Sequence, residues 1–428
     1  MKVFFSGISG VGIGPLAEIA ADAGDQVFGS DVHADPLINS ELDSHNIDYR
    51  IYNQDGSFLR EVYEREGGID WFVHTSALPP DHPELLLAQE LGIKVSKRDG
   101  FLSDFIKRHN LKLIAIAGTS GKTTTTAMAV WGLQQLHIPV SYLVGTTLPW
   151  AAAGKYDPAA EYFVYECDEF DRNFLAYEPY LSMITSLSYD HAEIYPTFES
   201  YYEAFKEFVA RSEHCVGWRD DSRGYWEDAP NYVIQDFIDE RFTLAGAVNR
   251  KDATLVLRSL RLFIPDVDAS KLITALNRFP GTGRRFEEIA PNLYSDYAHL
   301  PEEIEAMLQK AREVADPLQK KVAVVYEPLQ NMRQYNIRSQ YAKTFYNADR
   351  VLWLPTYQIL GREDDRPVLT PEELITNIDD PSKAEPVDLN DNLINKVKEL
   401  IADNYIVVVA SGGKTGDAFF REHANLFA

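Results

Sequence analysis

A chain of 428 residues is too long for one hydrophobic core, so two or three domains are expected. The apolar share of 45% and aromatic share of 12% suit a well-packed globular protein. A net charge of −24, from 65 acidic against 41 basic side chains, argues against a nucleic-acid partner or an anionic membrane surface. Cys167 and Cys215 are too few for a disulfide framework. The N-terminus carries Lys2 and a few apolar residues, but glycine and serine interrupt at once, so no signal peptide is read. No apolar run nears the ~20 residues of a membrane helix. A cytoplasmic protein, monomer or homodimer, is expected.

Apolar runs alternate with helical stretches throughout, which implies parallel α/β sheets. The first section, 1–108, has strands at 3–6, 26–29 and 71–75. Between the first two lies Gly7-Ile8-Ser9-Gly10-Val11-Gly12-Ile13-Gly14, then a helical stretch over 16–23. The second strand ends at Asp31, near the place where a dinucleotide fold holds a ribose. The central glycine of that fingerprint is replaced by Ser9, so a nucleotide diphosphate at the helix start fits better than an intact dinucleotide motif. A nicotinamide oxidoreductase built on this loop stays open as an alternative.

The second section, 109–280, opens with a short apolar strand that runs into Gly118-Thr119-Ser120-Gly121-Lys122-Thr123-Thr124 and then a helix. Such a loop turns backbone N–H groups toward one point, and the helix aims its positive end there. Lys122 adds a charge and Thr123 a hydroxyl for Mg²⁺, so a triphosphate cradle and the use of ATP are expected. The usual first glycine would sit at Ile116, so the pattern is a variant. Downstream, Glu166 ends an apolar strand, where an ATPase holds its metal. Asp168, Glu169 and Asp171 read as solvated loop charges. His191 follows a further strand and suggests a second metal site. The stripe Phe198, Tyr201, Tyr202, Phe205, Phe208 has helical spacing and reads as core, with Lys206 facing solvent. The third section, 281–428, has strands at 321–326, 350–354 and 405–410.

These motifs occur in the order found in the Mur ligases, ATP-dependent amide-bond ligases of peptidoglycan synthesis. The chain resembles that family at Gly118–Thr125, Glu166–Asp171, Asp190-His191, Gly283–Glu287 and Asp296–Pro301. The resemblance implies three α/β domains: Rossmann-like for a UDP-sugar, a central P-loop ATPase, and Rossmann-like again for the incoming amine. Ser9, Gly10, Val11, Gly12, Asp31, Thr75 and Ser76 would hold the sugar nucleotide. Thr123, Glu166 and His191 would hold Mg²⁺. Asn249 would contact adenine, and Arg285 and Asp296 would reach ATP, with His299 close by. Within the family, the first glycine loop and Thr75-Ser76 resemble the branch that joins L-alanine to UDP-N-acetylmuramic acid. The branch that adds a whole peptide shares these features and stays open, as does a catalytically silent paralogue. Three positions, one run and one length depart from the family pattern: Ser120 for histidine, Ser186 for asparagine, Val248 in the adenine pair, the run Pro328–Arg333, and a short central domain after His191.

Overall fold

The computed structural model describes every residue except 192–193, 359–364, 414 and 428, and the side chain of residue 37. Two compact units form. One comprises Met1–Ile238 with Asp252–Phe279, the other Asp239–Lys251 with Pro280–Ala428.

The first unit carries two sheets. Strands β1 (Lys2–Ser6), β2 (Gln26–Asp31), β3 (Asp48–Ile51), β4 (Trp71–His74) and β5 (Lys94–Lys97) lie in the order β3-β2-β1-β4-β5, all parallel. Their alternate residues feed two cores, because successive side chains point to opposite faces. Val3 and Phe5 pack with helices α1 (Gly14–Asp22) and α2 (Arg98–Arg108), whereas Phe4 packs on the other side with Phe58, Leu59 and Leu85. A parallel sheet covered on both faces has apolar inner strands, which is why β1, β2 and β4 read as apolar runs while the polar, exposed edge strands β3 and β5 do not.

The second sheet has β6 (Lys112–Ala117), β7 (Val140–Leu143), β8 (Gly154–Lys155), β9 (Tyr162–Glu166), β10 (Leu181–Ile184), β11 (His214–Trp218) and β12 (Tyr232–Gln235). Their order is β12-β11-β10-β6-β9-β7-β8, parallel except for β7 with β8. Helix α3 (Lys122–Gln135) follows β6 directly. Helix α4 (Phe198–Arg211) buries Tyr201, Tyr202, Phe205 and Phe208, while Phe198 stays exposed and Lys206 faces solvent beside Glu203, 3.6 Å away.

The second unit holds β13 (Arg285–Ala290), β14 (Leu293–Asp296), β15 (Lys321–Glu327), β16 (Arg350–Trp353), β17 (Ala384–Pro386) and β18 (Tyr405–Ser411). The order is β13-β14-β18-β15-β16-β17, with only β13 and β14 antiparallel. The seam between the units falls inside helix α5 (Ala247–Phe263), so residues 239–251 cluster with the third sheet. Among the described residues no helix is long and apolar enough to cross a membrane.

Beneath the first glycine loop lies a fully buried carboxylate, Glu84. It accepts from Ser6 Oγ (2.6 Å), Ser30 Oγ (2.8 Å), Tyr52 OH (2.7 Å) and Gln54 Nε2 (3.3 Å), tying the ends of β1 and β2 together. Replacing Glu84 with leucine leaves these donors without their acceptor, and an unsatisfied buried donor costs about 1–3 kcal/mol. Glu84→Leu should therefore lower unfolding stability by roughly 3 kcal/mol or more. Chemical denaturation of the purified protein measures this; a midpoint equal to wild type would contradict it.

Candidate active site

The ATP loop is shaped by what it touches. Gly118 has φ +141°, and a Cβ there would lie 2.2 Å from Thr185 Oγ1 and 2.8 Å from the Ser186 carbonyl, so only glycine fits against the end of β10. Gly121 has φ +86° and precedes the first turn of α3. The Thr119 amide donates to the Ser186 carbonyl (3.0 Å), and the Ser120 amide to Ser186 Oγ (3.1 Å). Ser186 Oγ also donates to the Ser120 carbonyl (3.0 Å). Ser186, one of the departures from the family pattern, thus tethers the loop through the backbone of residue 120. With those two amides bound, the N–H groups left for a phosphate are those at the start of α3, around Lys122, Thr123 and Thr124, which an α-helix cannot satisfy internally.

Lys122 is 18% exposed, and its ammonium donates to the carbonyls of Gly118 (2.5 Å) and Thr119 (3.2 Å) and to Glu169 Oε2 (2.8 Å). Burial works against its charge, but Glu169, Asp168 and Glu166 outweigh that and hold its pKa above the ordinary value. Glu169 is 1% exposed. Burial pushes its carboxyl upward, partly offset by Lys122. The reading of Glu169 as a solvated loop charge is therefore wrong: the backbone turns back after it, with Asp171 and Arg172 at φ +53° and +57°, and folds the carboxylate inward. Asp171 does face solvent, paired with Lys97 at 2.9 Å. His191, at φ +58°, brings Nε2 to 3.8 Å from Glu169 Oε1, with the Phe170 ring edge-on at 5.2 Å. Lys122, Glu169 and His191 therefore form one group.

Glu166 sits beside them at the end of β9. Its Oε2 is buried without a hydrogen-bond partner, and a Cβ at Gly145 would come within 2.0 Å of Oε1. A buried carboxylate oxygen left open in a phosphate-loop cleft suits a hard cation with oxygen ligands. The described residues contain no cluster of three His, Cys, Asp or Glu side chains able to cage a metal. Mg²⁺ needs no such cage, since it takes one or two carboxylates and fills the rest with water and phosphate.

One cleft is lined by Val11 and Gly12 from the first glycine loop and by Lys122, Glu166 and Asp168 from the second sheet. In the first loop, Gly7 has φ +88°, Val11 is 67% exposed, and the Gly10 amide donates to the Gly7 carbonyl (3.0 Å). Asp31 accepts from the Ser9 amide (2.9 Å), and Ser9 Oγ donates to Asn39. Asp31 therefore braces the loop in this structure. Thr75 lies against Gly7, and Ser76 is exposed next to it.

The remaining site residues belong to the second unit. Asn249 donates to the Ala245 carbonyl (2.9 Å). Arg285 and Asp296 are direct partners across β13 and β14, and the guanidinium of Arg285 lies 4.8 Å from the centre of the Tyr297 ring. Burial raises the Asp296 carboxyl, against the opposing charge of Arg285. His299 Nδ1 is 3.2 Å from Glu303.

Residues 2–110 match the Mur ligase family catalytic domain, and residues 116–235 match the Mur ligase middle domain. A UDP-N-acetylmuramate–L-alanine ligase of Kineococcus radiotolerans is 30% identical over 86% of this chain and 84% of its own length. The chain belongs to the Mur ligase family. Its fold matches that of the UDP-N-acetylmuramate–alanine ligase of Thermotoga maritima with a TM-score of 0.76 at 22% identity, covering all of both chains. A murein peptide ligase of Psychrobacter arcticus matches over 100% of this chain and 98% of its own, with a TM-score of 0.67 at 19% identity. Family membership removes the oxidoreductase alternative, which left Lys122, Glu166 and His191 without a role.

The central charge group yields paired expectations. Lys122→Ala should lower turnover by about two orders of magnitude or more, the scale of losing a principal electrostatic stabiliser. Glu169→Gln keeps the shape but frees Lys122 and His191 from their anchor, and should cost about tenfold or more in kcat while circular dichroism stays unchanged. Near-normal turnover in both variants would contradict the assignment.

Proposed function

We propose that this Mur ligase joins L-alanine to the lactyl carboxylate of UDP-N-acetylmuramic acid, in the cytoplasm, spending ATP through an acyl phosphate. The observation that carries the reading is the single cleft in which Gly12 of the first glycine loop and Lys122 of the second meet. A sugar nucleotide held by Ser9, Gly10, Val11, Gly12, Thr75 and Ser76 would place its acid beside the γ-phosphate of an ATP seated on α3. We take the three sheets as three domains, 1–108, 109–280 and 281–428.

The residues divide the work. Lys122 turns from Glu169 toward the γ-phosphate and neutralises the charge that builds there. The free N–H groups at the start of α3 hold the phosphate oxygens. Thr123, Glu166 and His191 would offer oxygen and imidazole ligands for Mg²⁺, which when bound screens the phosphate charge and orients the transferring group. A carboxylate oxygen of the acceptor bonds to the γ-phosphorus as the bond to ADP breaks. The amine of alanine then attacks the acyl carbon and phosphate departs. Asn249, Arg285 and Asp296 keep the roles toward ATP that the family resemblance implies for them.

A single amino acid is favoured over a peptide acceptor. In the run Pro328–Arg333, Leu329 is 6% exposed and Asn331 1%, and Asn331 is bonded to the carbonyls of Arg366 and Pro367 and to the Leu369 amide. Those side chains are committed to packing, and the run offers fewer cations than a peptide carrying several carboxylates calls for. Phosphate release with ATP, UDP-N-acetylmuramate and a panel of acceptors tests this. L-alanine should give the highest kcat/KM. Glycine and L-serine should be poorer, since one methylene is worth only ~1–3 kcal/mol in a pocket. An L-Ala-γ-D-Glu-diamino-acid tripeptide should give little product. If the tripeptide outcompetes L-alanine, the peptide-ligase reading holds; no release with any acceptor would favour a silent paralogue.

A further inference from the structure

The cleft between the two glycine loops contains a cation that the assignments above leave without a ligand. Arg98 is the first residue of α2, directly after β5, and its side chain is 28% exposed. Its guanidinium lies 5.9 Å from the centre of the Tyr165 ring. Nη2 lies 3.4 Å from Asp99 Oδ1, and Asp99 is itself fixed by the hydroxyls of Tyr165 (3.0 Å) and Tyr177 (2.8 Å). Nε is buried without a hydrogen-bond partner. Nη1 faces the first glycine loop so closely that a Cβ on Gly12 would lie 2.9 Å from it. The same cleft holds Lys122, Glu166 and Asp168.

The chemistry of the cleft leaves one anion unmatched. Lys122 and the start of α3 serve the γ-phosphate, and Glu166 serves the cation. The acceptor carboxylate must approach that phosphate although both are negative, and no group named so far attracts it. A guanidinium presents a planar fork that matches a carboxylate bidentately and stays charged at every working pH.

We propose that Arg98 binds the acceptor carboxylate of the sugar nucleotide, holds it in line with the γ-phosphate, and so selects acid-bearing sugar nucleotides over those that lack the acid. This rests on the ligase reading. As one carboxylate oxygen bonds to phosphorus and the electron pair of the broken bond leaves on ADP, Arg98 keeps its contact with the other oxygen. No proton moves through Arg98. It is a specificity-determining residue, held in place by Asp99.

Calorimetric titration of the full chain with two ligands tests this. UDP-N-acetylmuramate carries the acid, and UDP-N-acetylglucosamine is the same molecule without the lactyl ether. Wild type should bind the first at least about tenfold more tightly, as expected for a charge-assisted pair. In Arg98→Met that preference should vanish, while affinity for UDP-N-acetylglucosamine and for ATP stays within about twofold. Arg98→Lys, which keeps the charge but not the fork, should retain part of the preference and serves if the methionine variant misfolds. Equal weakening of both sugar nucleotides would place Arg98 on the diphosphate and overturn the proposal, as would an unchanged preference. A wild-type protein that makes product yet shows no preference overturns the proposal alone. One that neither makes product nor binds either sugar nucleotide overturns the ligase reading and the proposal with it.

Discussion

The buried pairing of Lys122 with Glu169 is the constraint around which the centre is organised. A lysine and a glutamate removed from water are costly unless each satisfies the other and the remaining donors find partners. Here the ammonium is closed by two loop carbonyls and one carboxylate oxygen, and the other oxygen faces His191. The pair fixes the loop between β6 and α3, the turn after β9 and the segment after β10. Those are the ends of three strands that lie side by side, β9, β6 and β10, so the sheet order itself delivers the charge group. An incoming phosphate can replace Glu169 as the partner of Lys122. The lysine is therefore held ready, charged and close to its target, and little reorganisation is needed when ATP binds.

A second consequence concerns tolerance to substitution. Ser186 breaks a family pattern, yet its hydroxyl bonds both the amide and the carbonyl of residue 120, and Thr185 adds a 2.6 Å bond to that carbonyl. The hydroxyls of Thr185 and Ser186 do the tethering here, and the loop keeps both glycines. The shape of the loop is thus kept while a residue bracing it differs. Val248, by contrast, is exposed at 42%, and nothing in the structure explains its substitution.

The fold was legible because parallel strands buried on both faces read as apolar runs. The strands expected at 3–6, 321–326 and 405–410 differ from those observed by a residue at an end. Gly118 and Gly121 were legible as a loop because only glycine tolerates their conformations. Glu169 was missed because a run of Asp and Glu looks solvated, and its inward course depends on two consecutive left-handed residues that no local pattern announces. The tether from Ser186 to the backbone of residue 120 spans 66 positions and becomes visible only when β6 and β10 are paired. Arg98 stands alone after Lys97 in an unremarkable polar stretch. Its meaning comes from Gly12 and Lys122, which other strands bring to it.

The central claim is that a carboxylate of the sugar nucleotide attacks the γ-phosphate in this cleft. Oxygen-18 placed in the lactyl carboxylate of UDP-N-acetylmuramate follows that bond directly. With ATP and L-alanine, mass spectrometry of the released phosphate should find one labelled oxygen per molecule formed from a labelled attacking position. Phosphate free of label, with amide product accumulating, would contradict an acyl phosphate and with it the role given to the Lys122 centre.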